Sequence, residues 1–244
     1  EDLIPQFPVI RKATDAFNIN HVEMLGYEAD DLIASYAKAA INEKMKVTIV
    51  SSDKDLMQLV KEDVSMLDTM KNRLIQKNEV IEKFGVEPKK VIDVQSLAGD
   101  SIDNIPGVPG IGIKTAALLI NEYDNLDNLL EKASNIKQNK RRESLIEFAD
   151  QARLSRELVT LKEDVKLPIP IKDIEIQSFD PKKLISFLKG MEFKTLTEKK
   201  AREFNLNLED VETQELELEF NKEKEVETEI KNEKDFNKFD YKKY

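Results

Sequence analysis

Cysteine is absent from the 244-residue chain, which excludes disulfides and any metal site built on thiolates. The absence suits a reducing cytoplasm. Histidine occurs once, at His21, and is expected at a strand edge rather than in catalysis. No apolar run approaches the roughly 20 residues that a membrane-spanning helix needs, and no signal peptide is visible, so no membrane partner is expected. Neither a nucleophilic triad nor a Walker phosphate loop can be drawn. An initiator methionine is missing as well. The chain opens on Glu1 inside a helical pattern, as a fragment of a longer protein is expected to do.

Hydrophobic residues make up 40% of the chain, enough for a packed core, and charged residues make up 35%. The length suits one substantial domain with an appendage, or two small ones. A net charge of −10 speaks at first against nucleic acid, whose partners neutralise phosphates with Lys and Arg. The distribution alters that inference. Residues 206–244 hold 13 acids and 7 bases, a net of −6, which leaves −4 for the first 205 residues. Seven carboxylates in that part are candidate metal ligands, and bound divalent cations invert the local sign of such a cluster.

Residues 3–17 (LIPQFPVIRKATDAF) carry apolar side chains at helical spacing, with Pro5 and Pro8 suited to a first turn. A short strand-like run, Val22-Glu23-Met24, leads to Gly26. A helix is predicted from Ala29 to Glu43, with Leu32, Ile33, Tyr36, Ala37 and Ala40 inward. Val47-Thr48-Ile49-Val50 reads as a buried strand of a parallel sheet. A helix over Leu56–Val60, strands over Val64–Leu67 and Arg73–Gln76, and a helix over Asn78–Phe84 continue the α/β alternation. From Val91 to about Phe204 the pattern is mainly helical, and four of the seven glycines fall between Gly99 and Gly112. The expected organisation is an α/β core over 1–88 and a helical region over 89–205. An acidic linker with little to bury follows over 206–238, and returning aromatics at 239–244 suggest the start of a further domain.

Three acidic clusters stand at the ends of these elements. The first, Glu28-Ala29-Asp30-Asp31, opens a helix, where acids complement the dipole and cap the first turn. Three carboxylates in four residues exceed what capping needs, and they repel one another unless a cation is present. The second, Ser51-Ser52-Asp53-Lys54-Asp55, follows Val47–Val50 at the carboxyl end of a strand, where α/β folds place their ligands. Extended backbone puts Asp53 and Asp55 on one side, although an N-cap at Ser52 or Asp53 competes with that reading. In the third, Gly99-Asp100-Ser101-Ile102-Asp103, one helical turn presents Asp100 and Asp103 on a common face, and capping competes again. Taken together, oxygen-only ligands favour Mg²⁺ or Mn²⁺ over zinc. Two such ions about 4 Å apart activate water and stabilise the leaving oxygen in phosphodiester cleavage.

The fourth element is Asn104-Ile105-Pro106-Gly107-Val108-Pro109-Gly110-Ile111-Gly112-Ile113-Lys114-Thr115-Ala116. Its glycines permit tight backbone and free N–H groups before a helix that begins at Ile113. Such a helix start holds a DNA phosphate without reading bases, the pattern of a helix-hairpin-helix. An inter-helix turn is the plain structural alternative. Lys140-Arg141-Arg142 reads as a solvated helix face, with contact to a DNA backbone as the alternative.

The succession GYEADD, VSSDKDLMQL and SLAGDSIDNIPGVPGIGIKTA resembles the 5′-nuclease domain of bacterial DNA polymerases I and their flap-endonuclease relatives. The resemblance runs from Glu1 to about Phe204, and eukaryotic and archaeal flap endonucleases differ around the first two clusters. It implies a Rossmann-like, PIN-like α/β nuclease core followed by a helix-hairpin-helix region, acting on duplex DNA with a 5′ end or 5′ flap. It assigns Glu28, Asp30 and Asp31 mainly to one divalent ion, and Asp53, Asp55, Asp100 and Asp103 to a second. DNA contacts are implied at Gly107, Gly110, Gly112, Ile113, Lys114 and Thr115, with K⁺ on the hairpin carbonyls. Further implications are a monomer, a bacterial cytoplasm at the nucleoid, and proofreading and polymerase domains in the same full-length chain. The family begins with acidic strands and a basic arch that have no counterpart here, so this piece alone is expected to lack activity. Two other readings are a free-standing 5′-3′ exonuclease and a non-catalytic DNA-binding module.

Overall fold

The computed structural model describes residues 6–214. They form two units: Glu23–Asp173, and the described residues up to Val22 together with those from Ile174 on. The second unit opens with α1 (Phe7–Ala16), whose Pro8 stands in the first turn, where a missing N–H leaves no helix bond unmade. Residues 3–5 of the helix predicted there lie outside the described residues.

In the larger unit, α2 (Ala29–Asn42) buries Leu32, Ala34, Ser35, Ala37 and Ala40, so the helix is covered on more than one side. Strands β1 (Val47–Val50), β2 (Val64–Asp68) and β3 (Arg73–Ile75) form a sheet in that order. β1 runs parallel to β2 with Val47 opposite Val64, and β3 is antiparallel with Ile75 opposite Met66. α3 (Lys77–Phe84) opens on a capping box between Gln76 and Glu79 and closes at Gly85, whose φ of 73° is a left-handed turn. Helices α4 (Val91–Ala98), α5 (Ile113–Tyr123), α6 (Leu126–Glu131), α7 (Asn139–Glu147) and α8 (Ala149–Val159) follow.

Three local expectations are corrected. The run at residues 22–24 forms no strand. The helix predicted over Leu56–Val60 is a 3-10 turn, Asp55–Leu59, because its first residues are tied to the acidic loop before it. β1 is not buried on both faces: Ile49 is in the core, whereas Val50 is 62% exposed, as alternation on an edge strand dictates.

A single apolar core joins Ile49 and Met66 of the sheet to Phe84 of α3 and to Leu97, Ile120 and Leu145 of the helices. Each such side chain contributes about 1.5–3 kcal/mol when fully buried. The change from α/β to helical character near residue 88 falls inside this core, since Val86 and Val91 both belong to it.

The smaller unit continues with α9 (Pro181–Gly190) and α10 (Lys194–Glu203). Asp180 caps α9 by accepting from the Lys182 N–H at 2.8 Å. Val9 and Ala16 of α1 share a core with Leu184, Ile185, Phe187, Leu188 and Ala201. His21 lies in a loop rather than at a strand edge, with Nδ1 3.2 Å from Thr14 Oγ1 and 3.6 Å from Asp15. The first residues of the linker expected from residue 206 are docked instead. Leu206 and Leu208 pack on the core and Val211 is buried, because these apolar side chains are spaced to dock despite the acids between them. Lys189 Nζ donates to the carbonyls of Leu208 and Val211. The rest of the expected linker, from residue 215, and residues 239–244 lie outside the described residues.

Candidate active site

The first acidic cluster divides its labour. Glu28 is the N-cap of α2, and Asp31 reaches back to the Glu28 N–H at 3.4 Å while accepting from the Lys162 N–H at 2.9 Å. Asp31 therefore caps the helix and holds a distant loop. Asp30 has no such partner. Half-buried at the same helix start, it is pushed up to about 6, first by burial and then by the charges of Asp53, Asp55, Glu28 and Asp31. The first two clusters thus face one another.

β1 ends at Val50, and the chain turns at once. The Asp53 N–H donates to Ser51 Oγ at 3.0 Å, and Asp53 Oδ1 accepts from the Asp55 N–H at 2.9 Å. The two acids are placed by this turn, not by strand alternation. Asp55 is half-buried, and Gln95 of α4 donates to its Oδ1. Burial raises the Asp55 carboxyl, the Gln95 hydrogen bond opposes that, and Asp53 and Asp103 raise it further.

The third cluster is a closed turn rather than a helix turn. Asp100 and Ile105 exchange both backbone hydrogen bonds, at 2.9 and 2.7 Å. Asp100 Oδ1 accepts from the Ile102 N–H at 2.8 Å, and Oδ2 is taken by the Lys54 ammonium. That pairing outweighs the opposing effect of burial and holds the Asp100 carboxyl below the usual range. Asp103 is exposed. The electrostatics link all three clusters, yet among the described residues no three acidic or histidine side chains stand close enough to hold an ion. The donor chemistry fits a hard cation, and the spacing does not form a finished cage.

Beyond the turn, the glycines take two separate roles. Gly99 (φ 68°) and Gly107 (φ 60°) pack backbone against backbone: a Cβ on Gly99 meets the Ile105 carbonyl at 2.7 Å, and one on Gly107 meets the Ala98 carbonyl carbon at 2.7 Å. Gly107 is buried, its N–H donates to Ser155 Oγ at 3.0 Å, and its carbonyl accepts from Gln151 at 2.6 Å. Both backbone groups of Gly107, where a DNA contact was expected, are thus engaged inside the protein. Gly110 and Gly112 face open space. α5 starts without a side-chain cap, and the N–H groups of Ile113, Lys114 and Thr115 have no acceptor among the described residues. Lys114 is exposed beside them. On α7, Arg142 donates to the Ile136 carbonyl and to Asn139, both at 2.9 Å, so it is tied to its own helix start and to the turn before it.

Two participants carried no warning in the sequence. Lys54 was visible only as the base between two acids. Gln95 stands mid-helix with nothing to mark it until the fold brings α4 against the turn at Asp55.

An α/β sheet with acids at its strand ends thus shares its core with helices whose hairpin leaves backbone N–H groups open. The sequence matches the family models of the 5′-3′ exonuclease N-terminal resolvase-like domain over residues 1–85 and its C-terminal SAM fold over residues 86–182. The chain belongs to the 5′-3′ exonuclease family. It is 55% identical over 201 residues to DNA polymerase I of Rhizobium leguminosarum, covering 82% of this chain and 20% of that protein. With the 5′-3′ exonuclease of Aquifex aeolicus it shares 38% over 191 residues, 78% of this chain and 65% of the relative. Among solved structures, T5 5′-exonuclease with bound zinc matches at a TM-score of 0.54 and 23% identity, over 73% of this chain and 60% of that one. The catalytic core of Rad2 in complex with DNA matches at 0.54 and 17%, over 80% and 68%. At these identities the structural likeness is one of fold. No helix among the described residues is long and apolar enough to cross a membrane.

Proposed function

We propose that the chain is the 5′-nuclease part of a bacterial DNA polymerase I, hydrolysing DNA from 5′ ends or at 5′ flaps with two divalent cations, Mg²⁺ or Mn²⁺. The observation that carries the reading is Asp30: a half-buried carboxylate with no partner, held among four others that repel it. Such a group is stabilised when a cation joins it. Asp30, Asp53, Asp55 and Asp103 offer oxygens for that purpose; Glu28 and Asp31 border them from the cap of α2. Asp100 joins when Lys54 leaves it. Bound cations supply a water of lowered pKa and a counter-charge for the leaving oxygen.

The chain's own part beyond the ions is positioning. The free N–H groups at Ile113, Lys114 and Thr115, reached through Gly110 and Gly112, receive a backbone phosphate at the positive end of α5, with no base read. K⁺ on the hairpin carbonyls adds charge at the same place. Proofreading and polymerase domains in the same monomeric chain, in the bacterial cytoplasm, complete the proposal, which the polymerase relatives support.

The test is cleavage of a 5′-flap duplex by the full-length protein in Mg²⁺ and in a chelator. Chelation and the pair Asp53→Asn with Asp55→Asn are each expected to abolish cleavage while duplex binding persists. Cleavage that survives both refutes the metal assignment. Metal-independent duplex binding without any cleavage favours a binding module instead.

A further inference from the structure

Resting on the metal reading above, we propose that Gln95 is a positioning residue of the divalent-cation site, holding Asp55 with one carboxylate oxygen engaged and the other free. Gln95 is 5% exposed, and its Nε2 donates to Asp55 Oδ1 at 2.5 Å. Its Oε1 is buried without a hydrogen-bond partner among the described residues. A dry, unpaired carbonyl lowers stability, and a leucine or methionine fills the same volume without it. Packing therefore does not account for an amide here.

The direction of the amide follows from charge. Turned over, it sets its own oxygen against the Asp55 carboxylate, so the N–H side faces the acid and the oxygen stays unpaired. Asp55 gains a fixed orientation from this contact. Its backbone N–H is held by Asp53, its Oδ1 by Gln95, and among the described residues no hydrogen bond reaches Oδ2. A neutral donor also adds no positive charge beside the acid, in contrast to Lys54, which covers Asp100. α4 does two things at once: it carries Gln95 to Asp55, and it ends at Gly99, whose N–H donates to the Gln95 carbonyl at 2.8 Å next to Asp100. One helix thus sets the spacing of two acidic clusters.

The experiment is Mn²⁺ titration of the full-length protein, read by the electron-spin signal of free Mn²⁺, with thermal melts of the same samples in chelator. Sites that vanish in Asp55→Asn are the ones that count. Gln95→Leu is expected to weaken those sites about 10- to 100-fold, as loss of an outer partner of a ligand does. Its metal-free melting temperature is expected to equal or exceed that of the parent, because the unpaired carbonyl leaves with the amide. If Gln95→Leu fails to fold, Gln95→Met, which keeps the unbranched stem, carries the same readout. Unchanged Mn²⁺ affinity in a folded Gln95 variant overturns the positioning role alone. A fall in both affinity and metal-free stability makes Gln95 a packing residue and overturns it too. No loss of sites in Asp55→Asn overturns instead the metal reading beneath it.

Discussion

Replacing Asp30 by asparagine removes the most strained charge in the site, and the effect on stability has a calculable sign. The carboxyl is raised from 3.8 to about 6 in the folded protein, so between those values the folded chain binds more protons than the unfolded one. Stability contributed by this group is full below the lower value, falls as pH rises through the window, and stays reduced above it. A rise of about two units corresponds to ~3 kcal/mol as an upper limit. Asp30 is only half-buried, and solvent screening reduces the figure to about 1–2 kcal/mol. Urea denaturation in chelator, at about pH 4 and about pH 8, measures it. Asp30→Asn is expected to match the parent at the acid end and to exceed it by about 1–2 kcal/mol at the alkaline end. Millimolar Mg²⁺ is expected to close that gap by stabilising the parent alone. A variant less stable than the parent at alkaline pH, or one with an unchanged pH profile, refutes the reasoning.

Three further outcomes are expected. Gly107→Ala, which forces a Cβ against Ala98 in left-handed backbone, costs about 2–4 kcal/mol in thermal denaturation, whereas Gly110→Ala, with φ of 80° but open space, costs about 1 kcal/mol. Lys114→Ala weakens duplex binding for all sequences alike and lowers the slope of log affinity against log salt by about 1, measured by fluorescence anisotropy. Lys189→Met releases the carbonyls of Leu208 and Val211, and hydrogen exchange is expected to quicken over residues 206–211 while α9 itself stays protected.

Much of the fold was legible because its signals are local. Val47–Val50 is a β-branched and apolar run, and the glycines around Gly110 announce the start of α5. The failures share a cause, which is tertiary context. The placing of Gln95 against Asp55 and the docking of Val211 depend on partners far off in sequence, and no period in the chain reports them. In the site, composition located the acids but not their division of labour. Asp31 and Asp30 are neighbours of one type, yet one is spent on a helix cap and a loop amide and the other is left charged and alone. Gly107 and Gly110 likewise look alike on paper, and only burial separates a packing glycine from an open one.

Under the proposed function, the mutual closure of Gly99 on Gly107 has a consequence for where a strand is cut. The turn carrying Asp100 and Asp103 and the hairpin leading into α5 are joined by main chain alone, through the Asp100–Ile105 pair and the Val108 N–H to Leu97 carbonyl bond of 2.8 Å. No side-chain rotation can lengthen or shorten such a link. Under the proposed function it acts as a depth stop: the phosphate gripped at α5 and the bond cleaved at the acids stand a set number of nucleotides apart. The length of the released fragment is then a property of the backbone. Loosening that closure, as in Gly107→Ala, spreads the fragment lengths on a gel in addition to slowing their release.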